Sequence, residues 1–576
     1  MKPDEVTLQI IGSSLLYASE EMGIALRNTA YSPNIKERMD HSAAVFDREG
    51  RLLAQAEHIP VHLGSLPWGL KNLIGHCGRE GIGLDEGTMV VANDPYLTGT
   101  HLNDVTLVAP VHHRGSLVAF AVNKAHHADV GGATPGSISM KARTLQDEGY
   151  VLEPSVLWRK EGFDESVVER FASASRTPAE RRGDLKAQVA ANVTGARRIR
   201  ETIGKYGLEA FELSAARSFR HSESLSRTRL SRFRRGSYEA SDFLEGPEGE
   251  DLVLKVRVTV LASGAEVDYS GTSEEVDYPL NAVFGVTISG VYFVFRCLLG
   301  DDIPANYGAF SLLKIRAPDG TILNPTRPHP VGGGNVETSQ RNADVVFRAL
   351  ARAAGGRVPA AAGGSMNNVM IGGGGGAGAW AFYETIGVGL GGSRRADGID
   401  GIQANMTNTM NTPIEAIERN LPLRIARYEF RQDSPGAGAH RGGAGIIRSF
   451  EALRDETTFT ILSERGRRSP WGLEGGGDGS ATGVILFSKG RKTEVPVKST
   501  LTLAEGDVVE VMTAGGGGYG DPRARRRQAV ARDVANGLLT EEVARVDYHL
   551  AGSKKLHQRR ARGPAPNLAG SRNFRS

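Results

Sequence analysis

The sequence predicts a mixed α/β fold of the α+β class, with several subdomains built from β-hairpins, mixed sheets and a helical segment around 164–236. Three observations predict it. Residues 41–58 and 104–123 each read as strand, turn and strand. Residues 164–236 are rich in Ala, Arg and Glu and lack the residue pattern that is typical of strands. Glycine supplies 73 of 576 residues, well above the usual ~7%, which implies many tight turns and close backbone approaches.

The remaining elements follow in chain order. Residues 4–29 place apolar side chains at helical spacing and predict an opening helix, which ends at the Ser32-Pro33 turn. After the hairpins and the helical segment, residues 251–315 return to strand texture, and residues 355–401 are glycine-rich. From residue 440 onward short strands alternate with Gly turns, and a helix near 524–536 precedes a basic tail.

The chain is too long for one compact core, so the sequence predicts several domains. We expect five regions: an α/β region with both hairpins at 1–160, a helical segment at 161–250, a Gly-rich substrate-binding α/β region at 251–440, a β-rich C-terminal region at 441–552, and a disordered basic tail at 553–576.

Composition excludes several classes of protein. The net charge is only +3, and the basic runs near the C-terminus carry no interleaved aromatics, so no nucleic acid is expected as a partner. Cys77 and Cys297 are too few for a disulfide framework or a thiolate zinc cluster. The N-terminus lacks the features of a secretory signal, and the apolar stretch at 282–295 is too short to span a bilayer. A cytoplasmic protein without a membrane partner is expected.

The second hairpin brings two polar motifs together. His101 and Asp104 precede its first strand, and AHHADVGG (125–132) follows its second strand. A turn centred near His113 would place Asp104 opposite about residue 122 and His101 opposite about residue 125. These two residues then converge with His126 or His127. Imidazole and carboxylate ligands suit Zn²⁺, Mn²⁺ or Fe²⁺, and a water of lowered pKa would serve as the nucleophile.

The first hairpin offers a second carboxylate. A turn centred near Glu49 would place Asp40 opposite His58. A lone histidine beside a strand is more often structural or exposed, and an aspartate there is usually a cap or a turn former. On this basis the remaining histidines near the hairpins are interpreted as structural or exposed: His58, His62, His112 and His113.

Two further patterns leave alternatives open. The run VGGGNVETSQRNADVVF (331–347) suits an anion site made by backbone N–H groups, or simply close backbone packing, and the chain has no GxxxxGK[ST] motif. The neutral polar residues of 382–393 and 404–418 would fix a polar substrate or form an internal network; they include Tyr383, Glu384, Asn405, Thr407, Asn408, Thr409 and Asn411.

Five long motifs resemble the hydantoinase B/oxoprolinase family. They lie at 36–65, 93–111, 125–137, 406–415 and 428–445, and the resemblance runs from near residue 4 to about residue 550. The family includes the B subunits of ATP-dependent hydantoinases, the C-terminal half of 5-oxoprolinase, a lactamase, and the metal-bearing subunits of acetone and acetophenone carboxylases.

The resemblance implies a division of labour. A separate A-type subunit binds ATP and phosphorylates the carbonyl oxygen of the substrate, and the B-type subunit completes the reaction at a divalent metal, within a hetero-oligomer of A2B2 or larger. The implied ligands are Asp40, His101, Asp104 and His126. Zinc is expected for lactam hydrolysis, and manganese or another divalent ion for ketone carboxylation. The implied catalytic or positioning residues are His127, Asp129 and Glu384, the last two as alternative bases.

Three functions follow from the resemblance. The first is the B subunit of an ATP-dependent cyclic amidase that acts on a hydantoin, 5-oxoproline or another lactam. The alternative is a subunit of an ATP-dependent ketone carboxylase. The third is a non-catalytic assembly role. Gln403 and Asn405 stand where histidines are frequent in the family, which leaves the substrate open.

Overall fold

The computed structural model describes residues 3–56, 58–160, 162–374 and 378–550 and confirms the mixed α/β class. Helices α1 to α14 span Glu5–Thr29, Pro33–Lys36, His62–Glu80, Pro95–Thr98, Leu145–Glu148, Glu165–Ser173, Pro178–Tyr206, Leu208–Leu230, Phe284–Leu299, Tyr307–Phe310, Ser339–Leu350, Ile414–Asn420, Arg527–Ala535 and Glu541–Val546.

Strands β1 to β20 span His41–Asp47, Leu52–Gln55, Met89–Ala92, Asp104–His113, Ser116–His126, Ser155–Arg159, Gly162–Phe163, Gly236–Glu245, Asp251–Val260, Ala265–Asp268, Leu313–Arg316, Asn368–Gly373, Trp380–Thr385, Leu423–Phe430, Ile446–Ala452, Thr457–Leu462, Gly483–Ser488, Arg491–Glu494, Lys498–Leu503 and Val508–Met512. Among the described residues they form four sheets, in the orders β2-β1-β5-β4-β3-β6-β7, β11-β10-β9-β8, β13-β12-β16-β19 and β14-β15-β20-β17-β18.

The first sheet is covered on both faces around its central strands. Helices α1 and α7 contact β1, β4 and β5. On the other face, Leu66, Leu70 and Leu73 of α3 cluster with Phe46 and Phe120. Strands β1 and β4 and most of β5 are therefore buried. A site for a polar ligand is expected at the ends of these strands.

Both predicted hairpins are present, but the register of the second differs from the prediction. Asp104 pairs with His126, four residues beyond the position expected from a turn near His113. The turn lies at Arg114-Gly115, whose φ angles are +52° and +80°. Two consecutive positive φ angles are typical of a type I′ turn, and arginine is not a residue that marks such a turn in a sequence.

The position of Asp40 depends on a second strand pairing besides the first hairpin. The β1–β2 ladder ends at Ala44 and Gln55, so it does not reach Asp40, and the placement of Asp40 opposite His58 stays a prediction. Strand β1 also pairs with β5, where His41 lies opposite Ala125. The His126 N–H donates to the Asp40 carbonyl oxygen at 3.0 Å, so this pairing brings Asp40 beside His126.

The prediction of strand texture across 251–315 is wrong for residues 284–299. These residues form helix α9, which packs against α3 and α11. The helix passes close to both neighbours, since a Cβ at Gly64 of α3 would meet Ser289, and one at Gly290 would meet Asn342 of α11. Its β-branched and aromatic residues favour a strand locally, and helix–helix packing overrides that preference.

The glycine excess has a structural explanation. Five segments pack backbone against backbone in a unit that we call the glycine bundle, residues 360–364, 387–392, 435–443, 472–479 and 514–518. Hydrogen bonds link the segments, for example Gly516 N to Gly443 O (2.9 Å) and Gly443 N to Leu390 O (2.7 Å). Side chains would prevent this approach, as the composition indicated.

The opening helix and the helical segment are confirmed by α1 and by α6 to α8, and the late helix by α13. Within the described ranges, none of the helices combines the length and apolar character needed to cross a membrane. The tail predicted at 553–576 lies outside the described residues, and the five predicted region boundaries stay predictions.

Candidate metal centre

Three side chains meet at the open end of the second hairpin. His101 Nε2 lies 3.1 Å from His126 Nδ1, and each of these nitrogens lies 3.3 Å from Asp104 Oδ1. All three residues are buried. They form the one group of metal-ligating type found in the described part of the chain, and we call it the triad.

Each member of the triad is held by a separate contact. His101 Nδ1 lies 3.2 Å from the Gly332 carbonyl oxygen, and Asp104 Oδ2 lies 3.2 Å from His62 Nε2. The His126 ring stacks on Tyr383 with centroids 4.7 Å apart and an angle of 20°. Such outer contacts orient metal ligands before the ion arrives.

The donor set fits a divalent cation. The His101 Nδ1–H donates to Gly332, so the lone pair of Nε2 faces the Asp104 oxygen and the His126 nitrogen. Ligand atoms about 2.0–2.2 Å from a tetrahedral ion lie about 3.3–3.6 Å from each other, close to the spacing seen here. Two imidazoles and a carboxylate are ligands that Zn²⁺ prefers, with Mn²⁺ and Fe²⁺ as alternatives.

The buried carboxylate of the triad is paired with imidazoles. Burial opposes ionisation of Asp104, yet His101 and His62 hold the pKa of this carboxyl well below its usual value. Burial likewise opposes protonation of His101, but Asp104 raises the pKa of this imidazole above its usual value. Burial lowers the pKa of His126. Without a metal, protonated imidazoles supply the positive charge that a buried carboxylate requires, and a bound cation would take over that role.

Asp104 and His126 of the triad line a small cavity of about 20 Å³, room for about one water molecule, which we call the triad cavity. Asp40, the fourth predicted ligand, lines it and is 8% exposed. The other lining residues are Ile59, Val61, His62, Asp104, His126, Asn335, Val336, Met366, Tyr383, Thr385, Thr407 and Thr409. The structure thus brings all four predicted ligands to one place.

The three predicted catalytic residues do not line the triad cavity. His127 Nε2 lies 3.0 Å from Gln188 Oε1, and burial lowers the pKa of His127 to about 4. The Asp129 carboxylate accepts hydrogen bonds from backbone N–H groups and from Arg176 (Nη1, 2.9 Å).

Glu384 lies between two buried arginines, 3.3 Å from Arg38 Nε and 3.2 Å from Arg448 Nη2. These contacts of His127, Asp129 and Glu384 fix neighbouring segments, and the catalytic roles of the three residues stay predictions.

Two residues near the triad were not singled out by sequence reasoning. His62, interpreted as structural or exposed, is buried, lines the triad cavity and contacts Asp104. Lys124 is fully buried and donates to Thr98 O (2.8 Å) and Thr100 Oγ1 (3.0 Å), just before His101. Burial lowers the pKa of Lys124 to about 7. A single lysine within a strand pattern does not indicate that its side chain is buried next to the triad.

The glycine loop at 331–334 holds a buried carboxyl group, and burial raises the pKa of this group, Glu148, to about 7. The buried Glu148 carboxylate accepts the N–H groups of Val331 (2.9 Å) and Gly332 (2.7 Å), and the Gly332 carbonyl contacts His101. A Cβ at Gly334 would meet the Asn281 carbonyl. Backbone N–H groups of the run thus bind an internal carboxyl group, and Gly334 packs closely against backbone, so each of the two interpretations describes part of the run. Glu148 positions His101 through Gly332.

Replacing Glu148 by glutamine is expected to weaken metal binding about 10- to 100-fold, the usual cost of losing an outer contact to a ligand. The amide NH₂ would face a backbone N–H, so the loop that carries Gly332 shifts away from His101. Competition with a chromophoric chelator measures the affinity for Zn²⁺. The neighbouring exposed Asp147, which caps α5, provides the control Asp147→Asn. An unchanged Zn²⁺ affinity in folded Glu148→Gln would contradict this role.

Comparison with known proteins decides the family. The family model described as hydantoinase B/oxoprolinase matches residues 4–522. The chain belongs to the hydantoinase B/oxoprolinase family. A protein of Methanocaldococcus jannaschii is 44% identical over 552 residues, which cover 96% of this chain and 97% of that protein. The protein named 5-oxoprolinase 1 of Arabidopsis thaliana is 36% identical, with 90% of this chain but only 42% of that protein covered.

Two solved structures share the fold of this family member. The ATP-dependent caprolactamase from Pseudomonas jessenii superposes with a TM-score of 0.89 at 27% identity, and the match covers 96% of this chain and 97% of that chain. Acetone carboxylase in its nucleotide-free structure superposes with a TM-score of 0.87 at 19% identity over 95% of this chain and 80% of that chain. The second likeness, at this identity, concerns the fold alone.

Proposed function

We propose that this chain is the metal-bearing B subunit of an ATP-dependent cyclic amidase, which opens a ring amide after an A-type partner has phosphorylated it. The observation that carries the proposal is the triad of His101, Asp104 and His126, buried at the end of a hairpin with Asp40 in the same cavity. The similarity to proteins named as a caprolactamase and a 5-oxoprolinase supports this class of substrate.

The chemistry needs activation before hydrolysis. Nitrogen donates electrons into an amide carbonyl and makes it a poor electrophile, and O-phosphorylation removes that donation while creating a leaving group. The chain has no GxxxxGK[ST] motif, so we assign the ATP site to the partner. A bound divalent ion supplies a Lewis acid and lowers the pKa of water toward neutrality.

The protein's own residues perform the supporting steps. His101, Asp104, His126 and Asp40 would hold the ion, and His62 orients Asp104 from the opposite oxygen. The apolar walls of the triad cavity, Ile59, Val61, Val336 and Met366, limit the access of bulk water.

Co-expression with a hydantoinase A-type subunit tests this function. We expect ADP release only when both subunits, Zn²⁺ and a cyclic amide are present, together with one equivalent of the ring-opened product. The isolated chain should not hydrolyse ATP, and ATPase activity in the pure chain would contradict the assignment of the ATP site to the partner subunit. ADP release that depends on a ketone and bicarbonate would assign the chain to the carboxylases. The absence of any stoichiometric metal would favour an assembly role.

A further inference from the structure

Six exposed arginines from three segments of the chain lie on one surface, which we call the arginine patch. It consists of Arg232, Arg234, Arg235, Arg352, Arg357 and Arg394. The first two segments follow helices α8 and α11, and they meet where the Arg234 N–H donates to the Ala353 carbonyl oxygen at 3.0 Å. The Arg357 guanidinium lies over the Phe233 ring, 5.7 Å from its centroid. The third segment is the loop that carries Arg394, whose Cδ would lie 3.2 Å from a Cβ at Gly356.

The arginine patch has no counter-charge of its own. Just before it in helix α8, Arg227 and Arg229 pair with Glu223 (2.7 Å) and Asp302 (2.8 Å). In the described part of the chain, by contrast, no carboxylate oxygen lies within 4.0 Å of a side-chain nitrogen of the six patch arginines. Like charges that are held close together repel each other and lower the stability of the fold. A partner of opposite charge would relieve this repulsion.

The residue types of the patch narrow the class of partner. A guanidinium offers a planar fork of donors that binds a carboxylate through two parallel hydrogen bonds. Arginine is enriched at protein–protein interfaces and lysine is depleted there, and the three segments of the patch contain no lysine. Surfaces that bind single-stranded nucleic acid add exposed aromatic side chains, whereas Phe233 is only 3% exposed. These features favour an acidic protein surface.

A second copy of the chain is a poor partner for the patch. A symmetric dimer contact brings the same surface of both copies together, so the six arginines of one copy would face the six arginines of the other. Like charges that face each other across an interface oppose binding. The partner therefore has to be a different protein.

We propose that the arginine patch is the docking surface for a carboxylate-rich face of the A-type partner subunit. The inference rests on the proposed function, in which activation and hydrolysis occur on separate subunits, and it assigns the surface through which the two subunits meet. Opposite charges across an interface raise the rate of association and fix the orientation of the two proteins more than they raise the affinity. The patch is therefore expected to act mainly on the rate of association.

Association kinetics at two salt concentrations test the proposal. The A-type subunit is immobilised, and binding of the full wild-type chain is followed by surface plasmon resonance. The association rate constant is expected to fall about tenfold or more between about 50 mM and about 500 mM NaCl, because salt screens exposed charges. This measurement uses the wild-type chain and does not depend on the folding of a variant.

A charge-reversed double variant assigns the effect to the patch. Arg234→Glu with Arg357→Glu should lower the association rate constant at low salt about tenfold or more and flatten its dependence on salt. The matched control is Arg159→Glu with Arg491→Glu, which changes the net charge by the same amount. Both control arginines are exposed, lie in strands β6 and β18 outside the patch, and have no carboxylate within 4.0 Å among the described residues. The control should associate at nearly the wild-type rate.

The outcomes separate this proposal from the proposed function. Equal association rates for the charge-reversed variant and the control would overturn the proposal and leave the cyclic amidase function intact. Salt-sensitive binding of a single-stranded DNA oligonucleotide to the wild type but not to the charge-reversed variant would overturn the proposal in favour of nucleic acid. A wild-type chain that does not associate with the A-type subunit at either salt concentration would also overturn it, and ADP release in the same mixture then tells whether the proposed function fails as well.

Discussion

Replacing Asp104 by asparagine is expected to remove the metal and to lower amide-dependent turnover about 1000-fold or more. Asp104 Oδ1 contacts both imidazoles of the triad, and its Oδ2 contacts His62. The variant therefore loses the carboxylate charge that takes part in all three contacts. A catalytic ion stabilises developing charge by several kcal/mol, and each 1.36 kcal/mol is tenfold in rate.

Two measurements check the Asp104→Asn result. Elemental analysis gives the metal content per chain, and partner-dependent ADP release gives the turnover. Circular dichroism should show an unchanged fold, because asparagine has nearly the same volume. The exposed Asp85 provides the control Asp85→Asn, which should keep both metal and turnover. A variant that retains one metal per chain and turnover within tenfold of the wild type would remove Asp104 from the ligand set.

Replacing Gly516 by alanine is expected to destabilise the protein by about 3 kcal/mol or more, at the upper end of the cost of overpacking. The new Cβ would meet Leu390 O, Leu390 C and Gly391 N, all backbone atoms of another segment in the glycine bundle. Backbone atoms cannot rotate away as a flexible side chain does, so the segments have to separate and lose hydrogen bonds.

The comparison that isolates this effect uses Gly204→Ala. Gly204 lies in helix α7, and a Cβ there has nothing within 4 Å. Alanine at such a helical position is expected to stabilise by roughly 0.5–1 kcal/mol. Urea unfolding followed by circular dichroism should therefore show midpoints that move in opposite directions. Equal midpoints for the two variants would contradict close packing of the glycine bundle.

Much of the candidate metal centre can be predicted without a structure. His101, Asp104 and AHHADVGG stand at the ends of one hairpin, and a hairpin joins residues whose separation the chain itself sets. Even with the register displaced by four residues, these motifs meet. The choice of His126 over His127 came from the family resemblance, and it agrees with the structure, where His126 belongs to the triad and His127 bonds to Gln188.

Contacts between distant segments could not be predicted in this way. Helix α9 is encoded in residues that favour a strand, and only its packing against α3 and α11 makes it helical. His62 looks like any histidine after a strand, yet it lies against Asp104. The Glu148 carboxylate meets Gly332 across 184 residues of chain, a separation at which neither spacing nor periodicity carries information.

The sequence by itself determined the family and the two hairpins and predicted that His101, Asp104 and His126 meet, because each depends on motifs or on turns that span a few residues. Only the tertiary structure decided which groups face the triad cavity. The pairing of β1 with β5 places Asp40, and hydrogen bonds from the buried Arg38 to Thr385 (2.8 Å) and Thr409 (3.2 Å) join segments more than 340 residues apart. Such contacts exist only when distant segments have come together, and no local pattern of residues indicates them.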